Sequence, residues 1–185
     1  MGVFDKLLAI KQISFKDGDI RLMKQRVMFV PLEMATVLTK QLIDKPANIS
    51  KVYLEIKHEF KKGWADQLKK SYSFDSRKYM EWLINLTNLS GWGINEISEL
   101  DSKNKTGVFI MKNSPIAEHY KGTQNVCVDH FIRALYAGGA SVVFGDDIDW
   151  LEIECIAKGD KNCKFVFGPR DALLTKYPNF TYQIK

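Results

Sequence analysis

The stretch that decides the fold is EIECIAKGDKNCKFVF, running from Glu152 to Phe167. Apolar residues alternate on both sides of a Lys158-Gly159-Asp160-Lys161 turn, which predicts an antiparallel hairpin with strands over 150–157 and 162–167. Cys155 and Cys163 flank the turn. In such a hairpin they stand opposite each other on one face, with Cβ atoms about 5.5 Å apart. Two thiolates at that separation can share one metal, and zinc accepts them without a geometric preference of its own. Packing alone could also place them there, because buried free cysteine is common and Cys-x7-Cys is not a specific zinc pattern. Cys–His nucleophilic catalysis has less support, since none of the three cysteines sits in a nucleophile motif.

Working outward, residues 125–137 recover helical spacing at Cys127, Phe131, Ala134 and Leu135. Gly138-Gly139 then either ends that helix or permits a close backbone approach within it. On this predicted helix Cys127 and His130 are one turn apart and can face a single point above the hairpin. Residues 92–100 and 106–112 read as two strands around a polar turn. Nearer the N-terminus, Ile13 and Phe15 lead into Asp17-Gly18, a hairpin turn pair, with Ile20 and Leu22 after it. Pro31 opens a helix whose face carries Ala35, Leu38 and Leu42, and Pro46 closes it. Tyr53, Ile56, Phe60, Trp64 and Leu68 mark a longer helix, with Lys57, Lys61, Lys62, Lys69 and Lys70 forming its lysine-rich face. A third helix starts at an Asp75 cap, runs through Tyr79, Trp82, Leu83 and Leu86, and stops at Ser90-Gly91. Helices and strands are segregated, which predicts an α+β fold with a mostly antiparallel sheet packed against several helices. No repeat or long linker divides residues 1–185, so they read as one domain.

The chain has 185 residues, 45% hydrophobic and 26% charged, a globular composition. No apolar run approaches the ~20 residues of a bilayer span. The opening MGVFDKLLAIKQISF carries an acid and no leader-type cleavage site, which predicts a cytoplasmic protein without a membrane partner. The net charge of +5 arises from scattered lysines before residue 76 and raises the question of nucleic acid. Arginine, the main reader of bases, occurs only five times, so the lysine face reads as solvated helix surface. An odd number of cysteines argues against a disulfide framework.

The pattern Glu-x2-Cys-x4-Asp-x2-Cys-x-Phe, with Cys127 about 28 residues upstream of Cys155, resembles the 4-vinyl reductase, or hydrocarbon-binding, domain family. That family is related to sensor modules of phenol-responsive transcription regulators, and more distantly to nitric-oxide sensors and a vesicle-tethering subunit. The resemblance covers residues 106–168, while residues 1–100 share only its style of a hairpin followed by helices. It implies a zinc site built from Cys127, Glu152, Cys155 and Cys163. In a regular strand Glu152 and Cys155 point to opposite faces, so this set requires a bulge or an irregular strand entry near Trp150-Leu151. Without one, His130 is the substitute for Glu152. Four protein ligands leave no open position, which makes such a site structural.

The resemblance further implies a homodimer and an apolar cavity between helices and sheet. Tyr79, Trp82, Trp92, Phe109 and Tyr136 are the candidates to line that cavity, with His119 near its entrance. The reading is a small-molecule binding protein, sensor or carrier, holding an apolar ligand and a structural zinc. The alternative is an enzyme or accessory factor in tetrapyrrole vinyl-group reduction. Against catalysis, the chain lacks a Gly-x-Gly-x-x-Gly fingerprint and any evident acid–base pair. A tethering protein would require a large exposed apolar helix face.

Overall fold

Asp17 and Gly18 both adopt positive φ, 48° and 77°, the pair of left-handed residues that a two-residue hairpin turn demands. They join β1 (Ile13–Lys16) to β2 (Asp19–Leu22), and β3 (Gln25–Val27) completes a small antiparallel sheet. The computed structural model describes residues 13–22, 25–71 and 75–185, without the side chains of Leu68 and Ser71. Most of the opening segment read for a leader, and the Leu68 position of the helical stripe, lie outside the described residues.

Helix α1 (Leu32–Asp44) follows Pro31, but its buried face is Thr36, Thr39 and Leu42. Leu38, expected to point inward, is 46% exposed. The helix is rotated because Tyr120 Oη donates to the Thr36 carbonyl at 2.6 Å and docks the threonine side. Helix α2 (Ile49–Phe60) continues through a π-helical turn (Lys61–Ala65) into α3 (Asp66–Ser71). Helix α4 (Ser76–Leu89) is capped by the Asp75 side chain, which accepts from the Lys78 amide at 2.9 Å.

The second sheet consists of β4 (Ile94–Asp101), β5 (Thr106–Lys112), β6 (Ile148–Glu154) and β7 (Cys163–Pro169), antiparallel in the order β4-β5-β7-β6. Between β5 and β6 lie the short α5 (Pro115–His119) and the central α6 (His130–Phe144). Helix α7 (Arg170–Lys176) and a 3-10 turn (Pro178–Gln183) end the chain. The fold is α+β. No helix among the described residues is long and apolar enough to cross a membrane.

Gly138-Gly139 does not end α6. A Cβ on Gly138 would meet the Lys57 carbonyl at 2.7 Å, and one on Gly139 would meet Leu83 Cδ1 at 2.5 Å. Gly138 lets α6 press against the α2 backbone, a closeness only glycine permits, while Gly139 makes room for the Leu83 side chain of α4. Beneath α6, Trp150 lies parallel to Tyr136 and to Phe167 at 4.9 and 4.8 Å, with Phe109 edge-on at 5.1 Å. Lys57, expected on the solvated lysine face, is buried instead. Its Nζ lies 2.7 Å from both Asp147 and Asp149, because α2 crosses the start of β6 at that turn.

β6 is an edge strand, and side chains close its edge. Trp150 N–H donates to Tyr53 Oη at 3.1 Å, and Arg133 Nη1 donates to the Trp150 carbonyl at 2.8 Å. Gln183 takes both backbone groups of Glu152. At the opposite edge, Asn88 does the same to Asn95 of β4. Closing the edges this way removes a template for stray strand pairing.

Candidate metal centre

The register of β6 against β7 runs Glu152↔Phe165 and then Glu154↔Lys164, leaving Ile153 as an extra residue. This bulge turns Cys155 to the same side as Glu152, which regular alternation forbids. The strand ends at Glu154 instead of running on to Ala157. Asp160 accepts from the Cys155 amide at 2.7 Å and holds residues 156–158 in a 3-10 turn, with Gly159 left-handed at φ 98°.

Four potential ligand atoms, from Asp129, Glu152, Cys155 and Cys163, lie within 4.8 Å of one another, and all four residues are buried. The two sulfurs are 3.9 Å apart. One oxygen of each carboxylate is held: Ser114 Oγ donates to Asp129 Oδ1 at 2.7 Å, and the Asp129 amide donates to Glu152 Oε2 at 3.0 Å. The other oxygens, Asp129 Oδ2 and Glu152 Oε1, are buried without a hydrogen-bond partner. The Ile156 amide donates to Cys163 Sγ at 3.4 Å.

Burial pushes the Asp129 carboxyl up to about 7. Burial also raises Glu152 well above the usual carboxylate range, reinforced by Asp129 and Cys155. The neighbouring Cys127 and Cys163 thiols hold the Cys155 thiol far below its ordinary value and are themselves pushed up. A thiol shifted down and two carboxyls shifted up thus lie together where a cation would favour the deprotonated form of all three. Two sulfurs and two carboxylates, each pre-oriented by a hydrogen bond or a thiol neighbour, form a donor set that fits zinc.

Helix α6 begins at His130, so Cys127 precedes it and does not share a helix face with that histidine. The Cys127 thiol donates to the Glu152 carbonyl at 3.2 Å, beside the group of four. His130 is fully buried with neither ring nitrogen bonded; burial, then Arg133, push it down to about 3 and keep it neutral. It stands outside the group of four. Asp129 takes the place that the expected set of Cys127, Glu152, Cys155 and Cys163 gave to Cys127. The available signal was an acid inside the apolar run from Val128 to Ile132.

The five aromatic residues expected around a cavity are differently employed. Phe109 and Tyr136 belong to the closed stack on Trp150. Tyr79 Oη donates to the Ala65 carbonyl at 2.7 Å. Trp82 packs on Trp64 with centroids 6.1 Å apart, and both Trp82 and Trp92 are half-buried. None of the five lines the groove of about 320 Å³ between α4 and β4, which is edged by Arg77, Glu81, Asn85, Asn95 and Glu96. His119 is exposed, edge-on to Tyr120.

Residues 108–169 match the vinyl-4-reductase (V-4-R) domain, a span that contains all four clustered residues and the whole C-terminal hairpin. No curated protein matches the sequence. Among solved structures, the chain is similar to the phenol-responsive sensory domain of the transcription activator PoxR, crystallised with phenol. The two are 17% identical, with 99% of this chain and 98% of that one covered at a TM-score of 0.77. At that identity the likeness establishes the fold. A vinyl-4-reductase family protein from Methanocaldococcus jannaschii is 19% identical over 76% of this chain and 82% of its own, with a TM-score of 0.49. Subunit 3 of the trafficking protein particle complex of Naegleria fowleri, covalently bound to palmitic acid, is 10% identical over 72% and 81%, with a TM-score of 0.44. The resemblance to the 4-vinyl reductase family seen in the cysteine pattern is thus repeated by the domain match.

Proposed function

We propose that this chain is a sensory domain that holds a small apolar molecule and is pinned at its C-terminal hairpin by one structural zinc ion. Asp129, Glu152, Cys155 and Cys163 would hold the metal. The observation that carries this reading is that Asp129 and Glu152, each with one orphaned oxygen, bring a carboxylate oxygen within 4.8 Å of two sulfurs in buried surroundings. Neither carboxylate has an ion pair among the described residues, whereas Asp149 on the same strand has two. Leaving such groups buried and unpaired is costly, and a dication removes that cost. When bound, zinc supplies a cross-link between the start of α6 and the hairpin. Four protein ligands leave no position for substrate, so the role is structural. Ser114 and the Asp129 amide aim the carboxylates, and Cys127 steadies the Glu152 backbone and the Cys155 sulfur.

The small-molecule half of the reading is supported by the domain match and by the shared fold of the PoxR domain, which was crystallised with phenol. A homodimer is supported by the outward side chains of Met28, Phe29, Leu32, Met34, Val37 and Leu38 among the described residues. A second copy of the chain is the occupant we assign to this face, and Phe29→Glu is expected to yield monomers by light scattering.

Native mass spectrometry under reducing conditions tests the proposal. One zinc per chain at dimer mass, with an organic adduct or uptake of added phenol, is the expected result. A bare monomer with three free thiols overturns it.

A further inference from the structure

The C-terminal segment meets β6 at the residue that offers its carboxylate to the metal cluster. Gln183 is fully buried. Its Oε1 accepts from the Glu152 amide at 3.0 Å, and its Nε2 donates to the Glu152 carbonyl at 2.8 Å. The Gln183 carbonyl in turn accepts from Arg133 Nη2 at 3.0 Å, and the next residue, Ile184, is also fully buried. One side-chain amide therefore replaces a missing neighbour strand, and it does so where the bulge interrupts the ladder to β7.

We infer that Gln183 is a positioning residue for Glu152, so that docking of residues 178–185 and occupancy of the metal centre are linked. This rests on the zinc reading above. Glu152 is still paired with Phe165 but stands next to the bulged Ile153 on an edge strand, so its outward amide and carbonyl have no neighbour strand and its side chain aims true only if something else holds them. Gln183 supplies those two hydrogen bonds from the outer side. Undocking the segment frees the Glu152 amide, leaves its carbonyl only the Cys127 thiol, and loosens the aim of its carboxylate. Fixing Glu152 on a metal, conversely, presents Gln183 with a ready-made pair of partners. Linkage of this kind is reciprocal: whatever factor the metal adds to docking, docking adds to metal affinity. Asn88 makes the same two-bond clamp on Asn95 at the far edge of the sheet, bonding its amide at 2.8 Å and its carbonyl at 3.3 Å. That clamp has no part in the metal cluster, so it separates positioning from mere closure of an edge.

The test uses the full chain, zinc competition against a chromophoric chelator, and hydrogen exchange read by mass spectrometry. Gln183→Ala is expected to weaken zinc on the order of 10–100-fold, the usual effect of losing a residue that orients a metal ligand. Asn88→Ala is expected to lower stability while leaving zinc affinity unchanged. In the unsubstituted protein, stripping zinc with a chelator is expected to speed exchange across residues 178–185 by a comparable factor. Should Gln183→Ala fail to fold, Gln183→Glu keeps the volume and the acceptor but removes the donor to the Glu152 carbonyl. Wild-type zinc affinity in the Gln183 variants, or exchange in 178–185 that is indifferent to zinc, overturns the linkage alone. A wild-type chain that takes up no zinc overturns the metal reading, and the linkage with it.

Discussion

Asp149 and Glu152 sit three residues apart on β6, both fully buried, in opposite electrostatic surroundings. Asp149 receives Lys57 Nζ at 2.7 Å, Arg170 Nε at 2.8 Å and Tyr53 Oη at 2.8 Å. Burial alone would raise its carboxyl, but Lys57, Arg170 and Tyr53 together hold it below the usual range. Glu152 faces another carboxylate and two thiols, keeps one oxygen unpartnered, and is pushed upward. Arg133 lies close enough to be felt, yet both its terminal amino groups are committed to the carbonyls of Trp150 and Gln183. The lesson is about where a buried charge finds its counterion. At one end of the strand the protein supplies it. At the other it gathers two carboxylates and two sulfurs with no counterion among the described residues, and there we propose a cation.

The largest effect that would break this contrast is the loss of a thiolate. Cys155→Ala is expected to abolish stoichiometric zinc, measured as metal per chain, and to loosen the hairpin, because metal binding of this kind is folding energy. Unchanged metal content and melting temperature in that variant would remove the basis for the contrast. At the other end of the strand, Lys57→Met takes one cation from Asp149. Breaking a buried pair costs about 3–5 kcal/mol, readable in urea denaturation, and zinc content is expected to stay at one per chain. Ser114→Ala probes the metal end more gently. Freeing Asp129 Oδ1 from its 2.7 Å hydrogen bond is expected to weaken zinc about 10-fold without releasing it at stoichiometric loading.

The smallest effect concerns acid. Asp149 has a folded-state value below its ordinary one, so its contribution is fully present above about pH 4. That contribution is lost as the pH falls through the lower, folded value. Urea midpoints of chelated protein are therefore expected to drop between about pH 4 and the acid limit, and Asp149→Asn to flatten that drop. An unchanged acid slope in Asp149→Asn would mean that the Lys57 and Arg170 contacts do not stabilise the ionised carboxylate.

Much of this molecule was legible in the chain itself. Asp17-Gly18 announces a turn of positive φ, Asp75 announces a helix cap, and the alternation around Gly159 announces a hairpin, because each is a local preference acting over a few residues. The α+β class followed from how those elements are ordered along the chain. The proximity of Cys155 and Cys163 followed from hairpin pairing, and the need for an irregularity followed from strand alternation once the resemblance grouped Glu152 with Cys155, although it falls at Ile153 and not near Trp150-Leu151. Asp129 in the cluster, Lys57 in the interior, the threonine face of α1 and the Gln183 clamp were not legible. Each depends on contacts between segments 15 to nearly 100 residues apart, such as Ser114 with Asp129 or Lys57 with Asp149. Sequence alone determines what each short stretch prefers and which side chains carry sulfur or charge. Only the tertiary structure decides which charges meet a partner, because that depends on distances set by packing α6 against the sheet and α2.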